Sequence, residues 1–302
     1  MSRSWLWPLA TLSVGLLCML ALFGSVVPEG GTESVLSNVT AAEAGYDKVA
    51  VSPSVKVSIG RTDQWLAKLF PIMDAKRKTV FDKIFAKDMW NGNRKFDEET
   101  TRAGPGSTMT YTARVRDFLG KFIAEHHIET MADLSCNEML WQRAIPGFED
   151  LKLYAGFDIV PHAIEVSRNR TKGMKNVELA VRDMVNQPLS RPYDLVMVRD
   201  TLFHLPLTDA LQVIANINNS GSKYFGTTYV DDPKIKNVFI APGDWYAINL
   251  RMLPFLFPAP LAAVEEGQPG NAFYGKKKFA IWKLPIEPHS GDLLKDGNVQ
   301  QD

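Results

Sequence analysis

The sequence predicts an α/β fold, doubly wound around a mostly parallel sheet. Three observations carry that prediction. From Glu129 onward, short apolar runs of strand length alternate with stretches of helical periodicity, the pattern of parallel crossovers. One run, Leu195–Val198, is apolar at every position, as a central parallel strand buried on both faces tends to be. Four successive strand ends carry polar or acidic groups: Met131-Ala-Asp-Leu-Ser-Cys-Asn-Glu-Met-Leu-Trp141, Tyr154-Ala-Gly-Phe-Asp158, Val181-Arg-Asp183 and Tyr193-Asp-Leu-Val-Met-Val-Arg-Asp200. Ligands bind at the carboxyl edge of such a sheet, and this spacing suits one that contains a nucleoside.

Residues 1–27 are expected to form a signal-anchor transmembrane helix. No charge occurs from Trp5 to Val27, and these 23 residues at about 1.5 Å each span a hydrocarbon core of about 30 Å. Arg3 and the α-amino group precede the run, while Glu29 and Glu33 follow it. That bias sets the N-terminus in the cytosol and the domain on the lumenal side of a secretory-pathway, Golgi-like membrane. A cleaved signal peptide competes with this reading. The run is long for one, and Leu22-Phe-Gly-Ser25 makes an unconvincing cleavage site. Three Asn-x-Ser/Thr triplets, at Asn38, Asn169 and Asn218, would allow glycosylation in a lumenal domain. Residues 28–60 are rich in Gly, Ser, Thr, Glu and Ala with little periodicity, and read as a flexible stem.

Residues 61–128 read as an N-terminal helical cap. Trp65, Leu66, Leu69, Phe70 and Ile72, then Val80, Phe81, Ile84 and Phe85, recur at helical spacing until Trp90-Asn-Gly-Asn93 interrupts them with turn chemistry. Next comes the tight loop Arg102-Ala-Gly-Pro-Gly-Ser-Thr108. Ser107 or Thr108 can cap the helix that follows, whose apolar set is Tyr111, Val115, Phe118, Leu119 and Phe122. The loop lacks the lysine of a phosphate-binding P-loop, which leaves helix entry or a backbone that closes over a ligand.

Residues 129–288 hold the sheet. Strands are expected at Thr130–Leu134, Leu153–Phe157, Val177–Val181, Leu195–Val198 and Tyr224–Thr228, with helices over Pro161–Asn169 and Thr208–Ile217 and a short helical run at Glu138–Ala144. Lys278–Leu284 alternates and is expected as an antiparallel edge strand. Residues 289–302 read as a disordered tail.

Composition narrows the function. Lys plus Arg and Asp plus Glu number 34 each, and no basic block occurs, so nucleic acid is not an expected partner. The five histidines, His126, His127, His162, His204 and His289, lie in separate elements and no Cys-x-x-Cys is present, so no metal site is expected. A Gly-x-Ser-x-Gly elbow is also missing, and so is the Gly-x-Gly-x-x-Gly turn of a nicotinamide-dependent dehydrogenase. Of the two cysteines, Cys18 falls in the apolar run and Cys136 in the first strand-end motif, which leaves no disulfide within the domain.

In this order and spacing the motifs resemble a subfamily of class I S-adenosylmethionine-dependent methyltransferases. The resemblance rests on Gly104-Pro-Gly-Ser107, on Asp133-Leu-Ser-Cys-Asn-Glu-Met-Leu-Trp141, and on Arg199-Asp-Thr-Leu-Phe-His-Leu205. Gly243-Asp-Trp245, Asn249-Leu250 and Pro254-Phe255 extend it, so that it covers roughly residues 81–282. It implies a seven-stranded, Rossmann-like methyltransferase sheet with S-adenosylmethionine as cofactor. Asp133, Ser135, Cys136 and Asn137 would form the turn beneath its methionine part, and Gly106, Ser107 and Trp141 would also contact the cofactor. Asp158 would hold the ribose, Asp183 and Met184 the adenine, and Ile159 and Arg199 would also contact the cofactor. A carboxylate at Asp158 can accept both ribose hydroxyls at once. Read alone, Asp158 and Asp183 are equally helix N-caps just past a strand.

The family carries glycines where this chain has Ser135 and Asn137. Asn tolerates left-handed backbone best among the other residues, at a cost on the order of 1 kcal/mol, so the turn is expected to form. An oxygen or nitrogen acceptor calls for a general base, for which His204 and Asp200 are candidates, with Arg199 to pair with an acidic substrate group. The ordinary readings are loop shaping for His204 and core packing for Trp245, which with Asp244 sits in a Pro-Gly loop that could line an acceptor pocket; Thr227 and Thr228 are similarly open. The expected function is methylation of a small-molecule or glycan acceptor by a membrane-anchored enzyme. The alternative is a catalytically silent methyltransferase-like binding or scaffold module.

Overall fold

The computed structural model describes residues 76–91, 101–266 and 276–287. The expected anchor, the stem, the cap before residue 76 and the tail lie outside the described residues, as do Cys18, Asn38 and His289. Among the described residues no helix is long and apolar enough to cross a membrane.

Seven strands form one sheet: β1 (Thr130–Asp133), β2 (Leu153–Asp158), β3 (Val177–Val181), β4 (Leu195–Val198), β5 (Tyr224–Val230), β6 (Ala262–Glu265) and β7 (Lys277–Lys283). Their spatial order is β3-β2-β1-β4-β5-β7-β6. Strands β1 to β5 pair in parallel, whereas β7 runs antiparallel to both β5 and β6. Helices cover residues 76–86 (α1), Met109–Glu125 (α2), Pro161–Arg170 (α3) and Leu207–Asn218 (α4). The winding reverses between β1 and β4, so a crevice opens at their carboxyl ends, where a doubly wound sheet holds ligands.

The core explains the order. All four residues of β4 are fully buried. Met131, Tyr154, Leu195 and Met197 form one cluster with Val115, Leu119, Phe122 and Ile123, the apolar stripe of α2. Thr108 caps that helix by accepting from the Tyr111 amide at 3.3 Å.

Three expectations need correction. Strand β7 is not at the edge, because the short β6 lies outside it. The Ala262-Ala-Val-Glu265 of β6 has little β-propensity and only partial burial, so its pattern carries no signal. Residues 138–144 do not make an α-helical run: Asn137 and Met139 adopt φ of 46° and 52°, and only Gln142–Ala144 winds, as a 3₁₀ turn. Finally, Asn218 is no free glycan acceptor. Its side-chain amide donates to the Ile286 carbonyl and accepts from the Ile286 amide, both at 2.9 Å.

Helix α1 is tied to the sheet by Arg77, which is 2% exposed. Its guanidinium reaches Asp183 Oδ2 at 2.7 Å and Asp209 Oδ2 at 2.6 Å. Burial disfavours the cation, yet the two carboxylates outweigh it and raise the guanidinium above its ordinary value. Arg77→Met should therefore cost about 2 kcal/mol, between the exposed and fully buried cases, because Asp183 keeps some access to water. Urea denaturation followed by fluorescence measures it.

Candidate functional site

The floor of the crevice is the bend after β1. Leu134 N–H donates to the Met197 carbonyl at 2.9 Å and Cys136 N–H to the Phe157 carbonyl at 3.0 Å, so the backbone stays stitched to both neighbouring strands. Asn137 takes the left-handed conformation that its residue type tolerates, and its side-chain oxygen accepts from the Glu138 amide at 2.8 Å. Space beneath is provided by Gly156. A Cβ there would lie 3.0 Å from the Cys136 sulfur. Asn137→Val should cost about 1–2 kcal/mol through φ > 0 strain, while Asn137→Gly stays within about 0.5 kcal/mol. Thermal melts of the two variants compare them directly.

Asp133 lies under this bend. Tyr154 OH donates to it at 2.7 Å, Gln142 Nε2 at 3.1 Å and the Ser135 amide at 3.2 Å. Burial still raises its carboxyl above the ordinary value, since these donors are neutral. Asp158 ends β2 and is 8% exposed. Its Oδ1 accepts from the Val160 amide at 2.9 Å and its Oδ2 from the Asn137 amide at 3.0 Å. Burial lifts it to about 6, against those two amides and with added repulsion from Asp133. Each oxygen retains a second lone pair, which is what a vicinal diol requires.

Asp183 follows β3. Its Oδ1 accepts from the Val185 amide at 3.0 Å, and its Oδ2 carries Arg77 and the Asn186 amide group. The adenine role that the resemblance implies for this carboxylate would thus be shared with a cap residue.

Beyond β4 lies a buried quartet of charges. Arg199 Nε donates to Glu266 Oε1 at 2.6 Å, and its Nη2 lies 3.4 Å from Asp200 Oδ2 and donates to the Gly106 carbonyl at 2.9 Å. Lys277 Nζ donates to Asp200 Oδ2 at 2.8 Å. It is equally near Oδ1 without the geometry for a second bond, and it lies 3.8 Å from Glu266. Thr228 donates to Glu266 at 3.1 Å, and Thr227 donates to the Val198 carbonyl at 2.7 Å, so both hydroxyls are structural. Burial opposes ionisation of Asp200, but Arg199 and Lys277 outweigh it and hold the carboxyl below its ordinary value. An anion clasped by two cations is a poor proton acceptor, which weighs against Asp200 as the general base.

One cavity joins these parts. Its wall includes Ser107, Asp133, Ser135, Cys136, Asn137, Trp141, Asp158, Ile159, Asp183, Met184, Arg199 and Asp200. Gly106 is not in the wall. It binds Arg199 through its carbonyl, and a Cβ on it would stand 2.8 Å from Asp200. His204 also stands behind the wall, stacked at 4.6 Å on Trp90, which does line the cavity. His204 Nδ1 lies 2.8 Å from the Asp244 carbonyl, which fixes the proton on Nδ1 and leaves Nε2 as acceptor. Burial pushes this imidazole below its ordinary value. Trp245 is 41% exposed and meets Phe203 edge-on at 6.2 Å.

Sequence reasoning missed Arg77, Glu138, Glu266 and Lys277. Glu138 accepts from Thr101 and, at 2.7 Å, from the Arg102 amide, which moors the Gly-Pro-Gly loop to the bend. Among the described residues no His, Cys, Asp or Glu cluster suits a metal ion.

No family model matches the chain, and no curated protein matches it. Among solved structures, it is similar to the N-methyltransferase NodS from Bradyrhizobium japonicum WM9 in complex with S-adenosyl-L-homocysteine, at 15% identity and TM-score 0.49 over 68% of this chain and 100% of that one. It is also similar to magnesium protoporphyrin IX methyltransferase (ChlM) from Synechocystis PCC 6803 with bound SAM, at 12% identity and TM-score 0.49 over 69% and 97%. An S-adenosylmethionine-dependent methyltransferase from Clostridium acetobutylicum ATCC 824 gives 16% identity and TM-score 0.43 over 57% and 91%. At these identities and TM-scores the likeness is one of chain course.

Proposed function

We propose that this chain is a membrane-anchored, S-adenosylmethionine-dependent methyltransferase acting on an oxygen or nitrogen of a small molecule or glycan. The observation that carries the reading is the convergence of Asp133, the Asn137 bend, Asp158 and the Asp183–Met184 step on one cavity at the reversal point of the sheet. The residues present fit the cofactor. Asp158 offers lone pairs toward two ribose hydroxyls, Ile159 and Met184 flank the place for adenine, and the bend lets backbone approach the amino-acid end. When bound, S-adenosylmethionine supplies a methyl group on an electrophilic sulfonium, so the protein's task is orientation and proton removal. His204, whose Nδ1–H the Asp244 carbonyl holds, would take the proton on Nε2 from an acceptor that reaches it from outside this cavity. Residues 5–27 provide the anchor.

Calorimetric titration of the full chain with S-adenosylmethionine and with NAD tests the ligand. Micromolar binding of the first alone supports the proposal, and binding of the second alone overturns it. Transfer of tritium from methyl-labelled cofactor to fractionated glycans, lipids and small molecules tests catalysis, and protease protection reports the side of the membrane. A second reading, a binding module that has lost catalysis, is favoured by one observation: Asp133 and Asp183 are already satisfied by protein groups. Cofactor binding without transfer to any fraction would select it.

A further inference from the structure

The segment after β5 presents a mixed apolar and cationic surface that the methyl-transfer site does not use. Val238, Phe239 and Leu253 are 46%, 56% and 56% exposed, among the largest exposures of bulky apolar side chains in the described residues. Two asparagines hold them in one patch. Asn237 Nδ2 donates to the Asn249 and Leu253 carbonyls, both at 2.8 Å, and Asn237 Oδ1 accepts from the Asn249 amide at 2.8 Å. Asn249 Nδ2 in turn donates to the Asp232 carbonyl at 2.8 Å. The irregular segments of the patch are thus tied side by side by these hydrogen bonds.

Lys234, Lys236 and Arg251, all exposed, belong to the same stitched segments. The neighbouring carboxylates are occupied elsewhere, Asp231 by Lys278 at 2.7 Å and Asp232 by Lys276 at 2.8 Å. The local charge is therefore positive around an apolar centre. Aromatic and aliphatic side chains ringed by Lys and Arg are what an anionic bilayer interface accepts: the apolar groups enter the acyl boundary and the cations meet headgroup phosphates.

We propose that this patch docks on the surface of a phospholipid bilayer, the one that the anchor proposed for residues 5–27 would enter, on a leaflet that carries anionic lipid on the domain's own side. The inference rests on the anchor put forward above. That run of 23 uncharged residues is what selects lipid over a protein partner, because it keeps the domain within reach of one membrane through the intervening segment. Docking by the patch sets the orientation of the sheet's carboxyl edge relative to the membrane, since β5 delivers the chain to the patch directly from that edge.

The test uses the full chain in proteoliposomes, in a Cys18→Ser background with Phe239→Cys carrying a bimane probe. Cys136 is fully buried and stays unlabelled. Vesicles contain phosphatidylcholine with or without phosphatidylserine, and quenching by brominated acyl chains is read. At least two-fold quenching with phosphatidylserine is expected, falling to background in Lys234→Glu/Lys236→Glu/Arg251→Glu. A probe at Lys172, beyond α3 at the other end of the sheet, should stay unquenched. No quenching at 239 in either vesicle overturns the proposal. So does equal shielding from aqueous iodide in detergent, which would mean that a second copy or another part of the chain covers the patch. Resistance to alkaline carbonate reports the anchor separately. If the chain is stripped by carbonate while probe 239 is quenched on added anionic vesicles, the anchor fails and the patch stands.

Discussion

Asp158→Ala should weaken binding of S-adenosylmethionine or its demethylated product by about 100-fold or more, since two charge-assisted hydrogen bonds contribute roughly 1.5–3 kcal/mol each. The substitution also frees the Asn137 and Val160 amides that the carboxylate holds, so the floor of the site loosens with it. A pH signature separates these effects. Burial lifts the Asp158 carboxyl to about 6 from the 3.8 of an unfolded chain. Between those values the folded state holds a proton that the unfolded state has released, so stability falls as pH rises through the window. The loss is about 3 kcal/mol in all. Ribose hydroxyls donate to the anion, so binding is level above about pH 6 and weakens by up to about tenfold per unit below it. Titrations from pH 5 to 8 in buffers of different ionisation enthalpy read both affinity and proton release. A flat profile together with unchanged affinity in the alanine variant would remove the ribose assignment.

Arg199→Met should destabilise the fold by about 3–5 kcal/mol, because it strands Glu266, whose side chain is fully buried. In a domain of this size that is a fall in melting temperature of roughly 6–20 °C. The double variant Arg199→Met/Glu266→Met should recover most of the loss, since Lys277 and Asp200 remain a matched pair 2.8 Å apart. Calorimetric melting of the two single variants and the double variant closes the cycle. A single-variant loss below about 1 kcal/mol would mean that water reaches the quartet and that the pairing is incidental.

The sequence made most of the sheet legible because burial dictates its pattern. Strands β1 to β5 begin at the residues expected, and Leu195–Val198 matches at both ends. The left-handed bend at Asn137 was foreseeable from its residue type, but the second left-handed residue, Met139, was not: Met has no preference for φ > 0. The ion pairs were illegible for a definite reason. Arg77 is the centre of Lys76-Arg77-Lys78 and Lys277 the centre of Lys276-Lys277-Lys278. In each triplet the outer residues keep access to solvent and the middle one is buried against at least one carboxylate over 70 positions away. A basic triplet reads as a solvated face, and only the tertiary structure selects its central member. His204 and Gly106 stood out by motif, yet both act one layer behind the cavity wall.

Cys136 gives the bend one further property. Its sulfur is wedged against Gly156 beneath the Asn137 turn, and burial, with Asp133 and Asp158 adding to it, drives the thiol far above its ordinary value. Neither peroxide nor an alkylating reagent meets a thiolate while the turn is seated. The lone sulfhydryl of the described residues is therefore shielded by concealment. Its rate of modification becomes a clock for how often the floor lifts.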